Sequence, residues 1–215
     1  MSRRWKIVLA AVAILATAVY LGRGPLKRFA YAPWDRDSWQ KPEEVLRAMN
    51  LQPGQHVADI GAGGGYFTFR FAGAVGESGR VFAVDIDAEM LEHVRDRALR
   101  ENLGNVETIL AQTDDPQLPA PGVDVIFICN TYHHLQNRED YFRRLRAALR
   151  PGGRLVIVEF DGRGWFSSVI GHHTPPSQII EELQRAGYRL AESYDFLPRQ
   201  SFLVLVAAEA DAPPH

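Results

Sequence analysis

The segment Asp59-Ile60-Gly61-Ala62-Gly63-Gly64-Gly65 sets four glycines within five residues, between the apolar run His56–Ile60 and the helix-compatible run Tyr66–Ala74. Glycines at such a joint let the backbone approach a ligand closely, and the start of the following helix offers unpaired N–H groups. Twenty-four positions after Gly61 stands Asp85, at the carboxyl end of the next apolar run, Arg80–Val84. An acid placed there takes both hydroxyls of a ribose. Strand, glycine loop, helix, strand and acid in this order point to a parallel α/β sheet with a nucleotide-like ligand across the carboxyl ends of its first two strands. The plainer alternative is a glycine-rich turn with Asp85 capping a neighbouring loop.

The rest of the chain keeps the alternation. Lys41–Asn50 reads as a short helix with Val45, Leu46 and Met49 on one side, and Pro42 in its first turn. Asp87 is expected to cap a helix reaching about Asn102, with Leu91, Val94 and Ala98 at helical spacing and Gly104 as terminator. Asn105–Leu110 and Val123–Cys129 read as strands; the second is apolar apart from Asp124. Asn137 is expected to cap a helix carrying Tyr141, Leu145 and Leu149, ended by Pro151-Gly152-Gly153 before a strand at Arg154–Glu159. Thr174-Pro175 opens the last helix and Gly187 closes it. Two final strands, Tyr188–Asp195 and Phe202–Ala208, are separated by six residues, too few for a crossover helix. They must pair as a hairpin, so one strand of the sheet runs antiparallel. The fold expected is an α/β Rossmann-like three-layer sandwich with a seven-stranded, mostly parallel sheet.

The dinucleotide fingerprint requires glycine three places after its second glycine, and Tyr66 occupies that place. The pattern acid-x-Gly-x-Gly-x-Gly instead resembles the class I S-adenosylmethionine-dependent methyltransferases. VADIGAGGGYFT is similar to their first motif and VFAVDID to their second. VDVIFICNTYHHL resembles their fourth strand and exit loop, and RALRPGGRLVIVEF their fifth strand with its Pro-Gly-Gly turn. QIIEELQRAGYRLAESYDFLPRQSFLVLVA resembles their last helix and closing hairpin. The resemblance covers residues 41–209, which it marks as the domain; 23–40 would be a connector and 210–215 a tail. It implies S-adenosylmethionine as cofactor, with Asp59, Gly61, Gly63 and Gly65 shaping the pocket for the methionine end. Asp85 would hold the ribose, Ile86 would lie against the adenine, and Asn130 would meet the methionine moiety. Where the family has an acid for the adenine amino group, this chain has Gln112-Thr113-Asp114, so Gln112 and Asp114 share that expectation. The activity implied is methyl transfer to a small-molecule or membrane-associated acceptor. Two alternatives stay open: a non-catalytic cofactor-binding module of the same fold, and a dinucleotide-dependent oxidoreductase, against which Tyr66 and the terminal hairpin argue.

A sulfonium methyl is already activated, so such an enzyme chiefly aligns its acceptor and excludes water. A base is needed only when the acceptor carries a tightly held proton. His133 and His134 are the base candidates, set against packing or backbone hydrogen bonding, and Tyr132 is set between pocket lining and packing. Glu159 faces the substrate, caps a helix or forms a salt bridge. Trp34 and Trp39 form a lid or anchor the connector, and Arg199 meets an acidic substrate or is a turn charge. Cys129 is expected in the core. His172 and His173 suggest metal only with a partner Cys or carboxylate at ligand spacing, which is missing, so no metal is expected.

A single cysteine excludes a disulfide framework. The net charge of −2 conceals an asymmetry: residues 1–28 hold six Lys or Arg and no acid, leaving 18 basic against 26 acidic residues, a net of −8, in the remainder. A body of that sign does not grip a nucleic-acid backbone, so no nucleic-acid partner is expected. Ile7–Leu21 is apolar except for Thr17, bracketed by Trp5 and Tyr20. Residues 1–22 are therefore expected to be a membrane anchor or a signal segment, with Ala16-Thr17-Ala18 as a possible cleavage site. Basic residues after Leu21 outnumber those before it. The expectation is an anchored protein with residues 30–215 cytoplasmic; the alternative is export after cleavage.

Overall fold

The computed structural model describes residues 36–163 and 173–208, all within one compact unit spanning 35–215. The expected membrane segment at 7–21, Trp34 and His172 lie outside the described residues. Among the described residues no helix is long and apolar enough to cross a membrane.

Seven strands form one sheet: β1 (His56–Ile60), β2 (Arg80–Asp85), β3 (Val106–Leu110), β4 (Val123–Cys129), β5 (Leu149–Phe160), β6 (Tyr188–Tyr194) and β7 (Gln200–Ala207). Their order is β3-β2-β1-β4-β5-β7-β6. Pairings from β3 to β5 are parallel, and β7 runs antiparallel to both β5 and β6. The expected hairpin thus closes the sheet, with β7 the reversed strand. Between β1 and β4 the chain changes direction of travel across the sheet, which opens a crevice at the carboxyl ends of those strands.

The central strands are apolar on both sides because both faces are covered. Ala58, Ile60, Ile126, Ile128, Leu155 and Ile157 point to one face. There they meet Phe142 and Leu145 of α5 (Arg138–Ala148) and Ile179 and Leu183 of α6 (Pro176–Arg185). The alternate residues Val57, Val125, Phe127, Val156 and Val158 face Val45 and Met49 of α2 (Pro42–Met49) and Phe71 and Val75 of α3 (Thr68–Val75). Helix α4 (Ala88–Arg100) lays Leu91 and Val94 against Ala83. Each fully buried aliphatic or aromatic side chain contributes about 1.5–3 kcal/mol relative to exposure.

Four local expectations change. The connector 23–40 contains a short helix, α1 (Arg36–Gln40), whose only buried residue is Gln40. The helix expected from Tyr66 begins at Thr68, because the glycine loop continues in turns through Phe67. Leu149, expected on a helix, begins β5 and pairs with Val123, so Pro151-Gly152-Gly153 lies inside that strand at a register shift. Asn137 stands at the start of α5 in a left-handed conformation and forms no side-chain cap.

Candidate cofactor and transfer site

The glycine loop leaves β1 through Gly61, whose φ of +74° is a conformation that side-chain-bearing residues rarely adopt. A Cβ at Gly61 would also collide with the Thr131 hydroxyl, so this close approach fits the loop against the segment leaving β4. Gly65, with φ +80°, is closed in the same way by the Phe69 ring. Gly63 and Gly64 behave differently: a Cβ at either would meet nothing within 4 Å. The loop therefore packs on its inner side and presents bare backbone to open space.

Asp85 ends β2 beside that loop. Its Oδ2 accepts from the Gly63 N–H at 2.8 Å and its Oδ1 from the Asp87 N–H at 2.9 Å. An ionised carboxylate offers about four lone-pair positions, so capacity for two further donors, such as two ribose hydroxyls, remains. The next residue, Ile86, is 64% exposed, unusual for a large aliphatic side chain and suited to a flat apolar ring. At the end of β3, the Ala111 N–H donates to the Asp85 carbonyl, which sets the exposed Gln112 and Asp114 at the same rim. Gln112 opens a tight turn closed by its N–H bond to the Asp115 carbonyl.

Beneath the loop, Asp59 is buried and accepts a 2.6 Å hydrogen bond from Thr68 Oγ1. Burial pushes its carboxyl up to about 6, partly opposed by that bond and by the Arg36 charge, while Asp85 adds to the rise. Asn130 leaves β4 in a left-handed conformation (φ +53°), and its Oδ1 accepts from Gln200 Nε2 at 2.6 Å. Gln40 Nε2 donates in turn to Gln200 Oε1 (3.3 Å) and to Cys129 Sγ (2.8 Å). Cys129 packs against the core as expected and also joins this polar chain, and burial pushes its thiol up to about 12. Through this chain α1 is fastened to the site. Arg36 lies over the Tyr66 ring and bonds Gln40 Oε1. Trp39 stacks on Phe160 at 5.6 Å, and Arg199 lies over the Trp39 ring, so both serve to anchor α1 to the body.

The residues Tyr132–His134 form a 3₁₀ turn after Asn130. Tyr132 is fully buried, stacks on Phe142 and donates to Glu182 Oε2 at 2.6 Å, so it packs the core instead of lining a pocket. His133 Nδ1 lies 2.9 Å from Glu159 Oε1, within hydrogen-bond distance, with Glu159 fully buried; His134 is exposed, its ring 4.0 Å from that of His133. Glu159 is therefore the hydrogen-bonding partner of His133. Sequence reasoning missed Gln40, Gln200, Thr131 and Arg36.

Residues 57–153 match the sequence model of a family described as "Methyltransferase domain". That stretch is similar to methyltransferase domains. Relatives of the domain include a protein of Vibrio parahaemolyticus named "Ubiquinone/menaquinone biosynthesis C-methyltransferase UbiE". It is 36% identical over 168 residues, 77% of this chain and 58% of that protein. The protein of the same name from Ectopseudomonas mendocina is 36% identical over 121 residues, 56% of this chain and 47% of that one. The chain spans about half the length of the curated relatives it matches. A solved S-adenosylmethionine-dependent methyltransferase from Aquifex aeolicus superposes with a TM-score of 0.73 at 24% identity, over 85% of this chain and 97% of that one. This likeness establishes that the domain has the methyltransferase fold.

Proposed function

We propose that the chain moves a methyl group from S-adenosylmethionine to a small-molecule acceptor by in-line displacement. The observation that carries the reading is Asp85, which holds the glycine loop and the β2 turn with one bond each and keeps capacity for a ribose beside exposed Ile86. When bound, that cofactor supplies a methyl group already activated on a sulfonium. Asp85 takes the ribose hydroxyls, Ile86 lies on the adenine, and Gln112 or Asp114 accepts from its amino group. The bare loop at Gly63 and the Asp59 region shape the pocket for the methionine end, and Asn130 meets that moiety from the β4 side. Alignment of acceptor and methyl in a water-poor crevice is worth about 7–11 kcal/mol of the barrier. The UbiE relatives are named for C-methylation in quinone biosynthesis, so quinol-type acceptors are the first to try.

The test is transfer of label from methyl-labelled S-adenosylmethionine into a cell metabolite extract and into quinols. Labelled product is expected. Cofactor binding with no label in any fraction would support the non-catalytic module of the same fold instead.

We also infer that residues 7–21 anchor the chain and that the domain faces the cytoplasm. The apolar run and the basic residues after it support this reading. A reporter active only in the periplasm, fused to His215, is expected to be silent; signal, or a mature chain beginning at Val19, would support export.

A further inference from the structure

Two features of the β4 and β5 ends have no role in holding the cofactor. Glu159 is fully buried, and its Oε2 has no hydrogen-bond partner among the described residues. Its Oε1 accepts from the Phe160 N–H at 3.0 Å and from His133 Nδ1 at 2.9 Å. A buried carboxylate with half its bonding capacity unmet is a costly ground state, relieved when positive charge forms next to it. His133 is where such charge can form. With Glu159 Oε1 as the acceptor of this contact, Nδ1 of His133 is the donor and the other ring nitrogen is left as the acceptor. The turn that bears His133 is seated against the glycine loop two residues earlier, where Thr131 closes on Gly61. The turn therefore borders the loop read above as the methionine end of the crevice, the end at which the methyl group would be handed over. Among the described residues, Glu159 from β5 and His134 from the same turn are ionisable side chains that face it.

We propose that His133, oriented by Glu159, is the general base of the transfer, and that the acceptor is a phenol or enol that keeps its proton until the methyl group arrives. This deepens the methyl-transfer reading and rests on it. In the step, the acceptor's oxygen or carbon forms a bond to the methyl carbon. The carbon–sulfur bond breaks, its electron pair leaves with sulfur as a neutral thioether, and the acceptor's proton passes to His133 Nε2. The positive charge that starts on sulfur thus ends on the imidazolium, 2.9 Å from Glu159. Acceptors that carry no proton to lose, such as tertiary amines and thioethers, would leave the pair without work. Glu159 is a positioning residue: it fixes the tautomer and balances the charge without touching the acceptor.

The test joins a spectroscopic reading of the free protein to transfer by its variants. In protein labelled with ¹⁵N-histidine, His133 is expected as the Nδ1–H tautomer, and Glu159→Gln is expected to abolish that preference, since an amide both donates and accepts. With labelled S-adenosylmethionine and a cell metabolite extract as probes, His133→Gln is expected to lower transfer by about 10²–10⁴-fold. Glu159→Gln is expected to lower it as well, with the double variant no worse than His133→Gln alone. Affinity for S-adenosylhomocysteine should stay within about twofold in each, the cofactor contacts lying elsewhere. An Nε2–H tautomer in the native protein, or transfer by His133→Gln within about threefold of native, overturns the base while leaving methyl transfer standing. Failure of the native protein to bind S-adenosylhomocysteine overturns the methyl-transfer reading itself, and the base with it.

Discussion

The backbone N–H of Gly63 donates to Oδ2 of Asp85 at 2.8 Å, joining the loop after β1 to the acid that ends β2. One side chain thereby holds both halves of the crevice in register before any ligand arrives. Removing it loosens the loop as well as deleting a contact.

Gly61→Ala is expected to cost about 1–3 kcal/mol of stability, since alanine would have to adopt a strained positive φ, and its methyl would press on Thr131. Urea denaturation of the two proteins checks this. Gly64→Ala is the control, because a Cβ there meets open space and Gly64 is not at positive φ. Equal stability of Gly61→Ala and native protein would contradict the close approach.

The Asp59 carboxyl is raised by burial to about 6, so the native protein holds this proton more tightly than the unfolded chain, whose value lies near 3.8. Stability from this group is therefore highest below the unfolded value, falls as pH rises between the two, and stays low above about 6. Moving from pH 7 to pH 5 should stabilise the native protein by about 1 kcal/mol more than Asp59→Asn. Parallel pH dependences of the two denaturation midpoints would show that the group does not titrate in this range.

Gln200→Leu removes the link between Gln40 and Asn130, leaving two polar side chains short of a partner. The expected loss is about 1–3 kcal/mol, measured by thermal or urea unfolding. If α1 is fastened through this chain, the variant should also expose the Tyr66–Arg70 segment to proteolysis, since Arg36, Asp37 and Tyr66 interlock there. Unchanged cleavage would detach α1 from the network.

Cys129 is pushed up to about 12 by burial, so it stays a thiol at pH 8. Iodoacetamide is expected to label it in urea and to leave the native protein largely unlabelled. Rapid labelling of the native protein at pH 8 would place the sulfur in contact with solvent.

Much of this was legible because periodicity and turn chemistry report directly on which face of an element is apolar. Val123–Cys129 is a strand at the expected bounds, and Asp87 accepts from the Glu89 and Met90 N–H groups as a cap should. The hairpin followed from the shortness of its connection. Helix α1 gave no such signal: five residues, four of them polar, bury only Gln40, whose partner Gln200 lies 160 positions away. The His133–Glu159 pair was half visible. Both residues were singled out, but only strand register could bring them together, since Cys129 pairs with Val158, the neighbour of Glu159 within β5, and the turn bearing His133 follows β4. Tyr132 shows the converse, for a residue flanked by site positions turns its ring into the core.

Calorimetric titration of the native protein and Asp85→Asn with S-adenosylmethionine tests the central claim most directly. Saturable binding is expected, weakened by about 1–3 kcal/mol in Asp85→Asn, as for loss of a charged hydrogen-bonding partner, with no heat from NAD. No binding of S-adenosylmethionine, equal binding by Asp85→Asn, or saturable binding of NAD in its place would contradict the account.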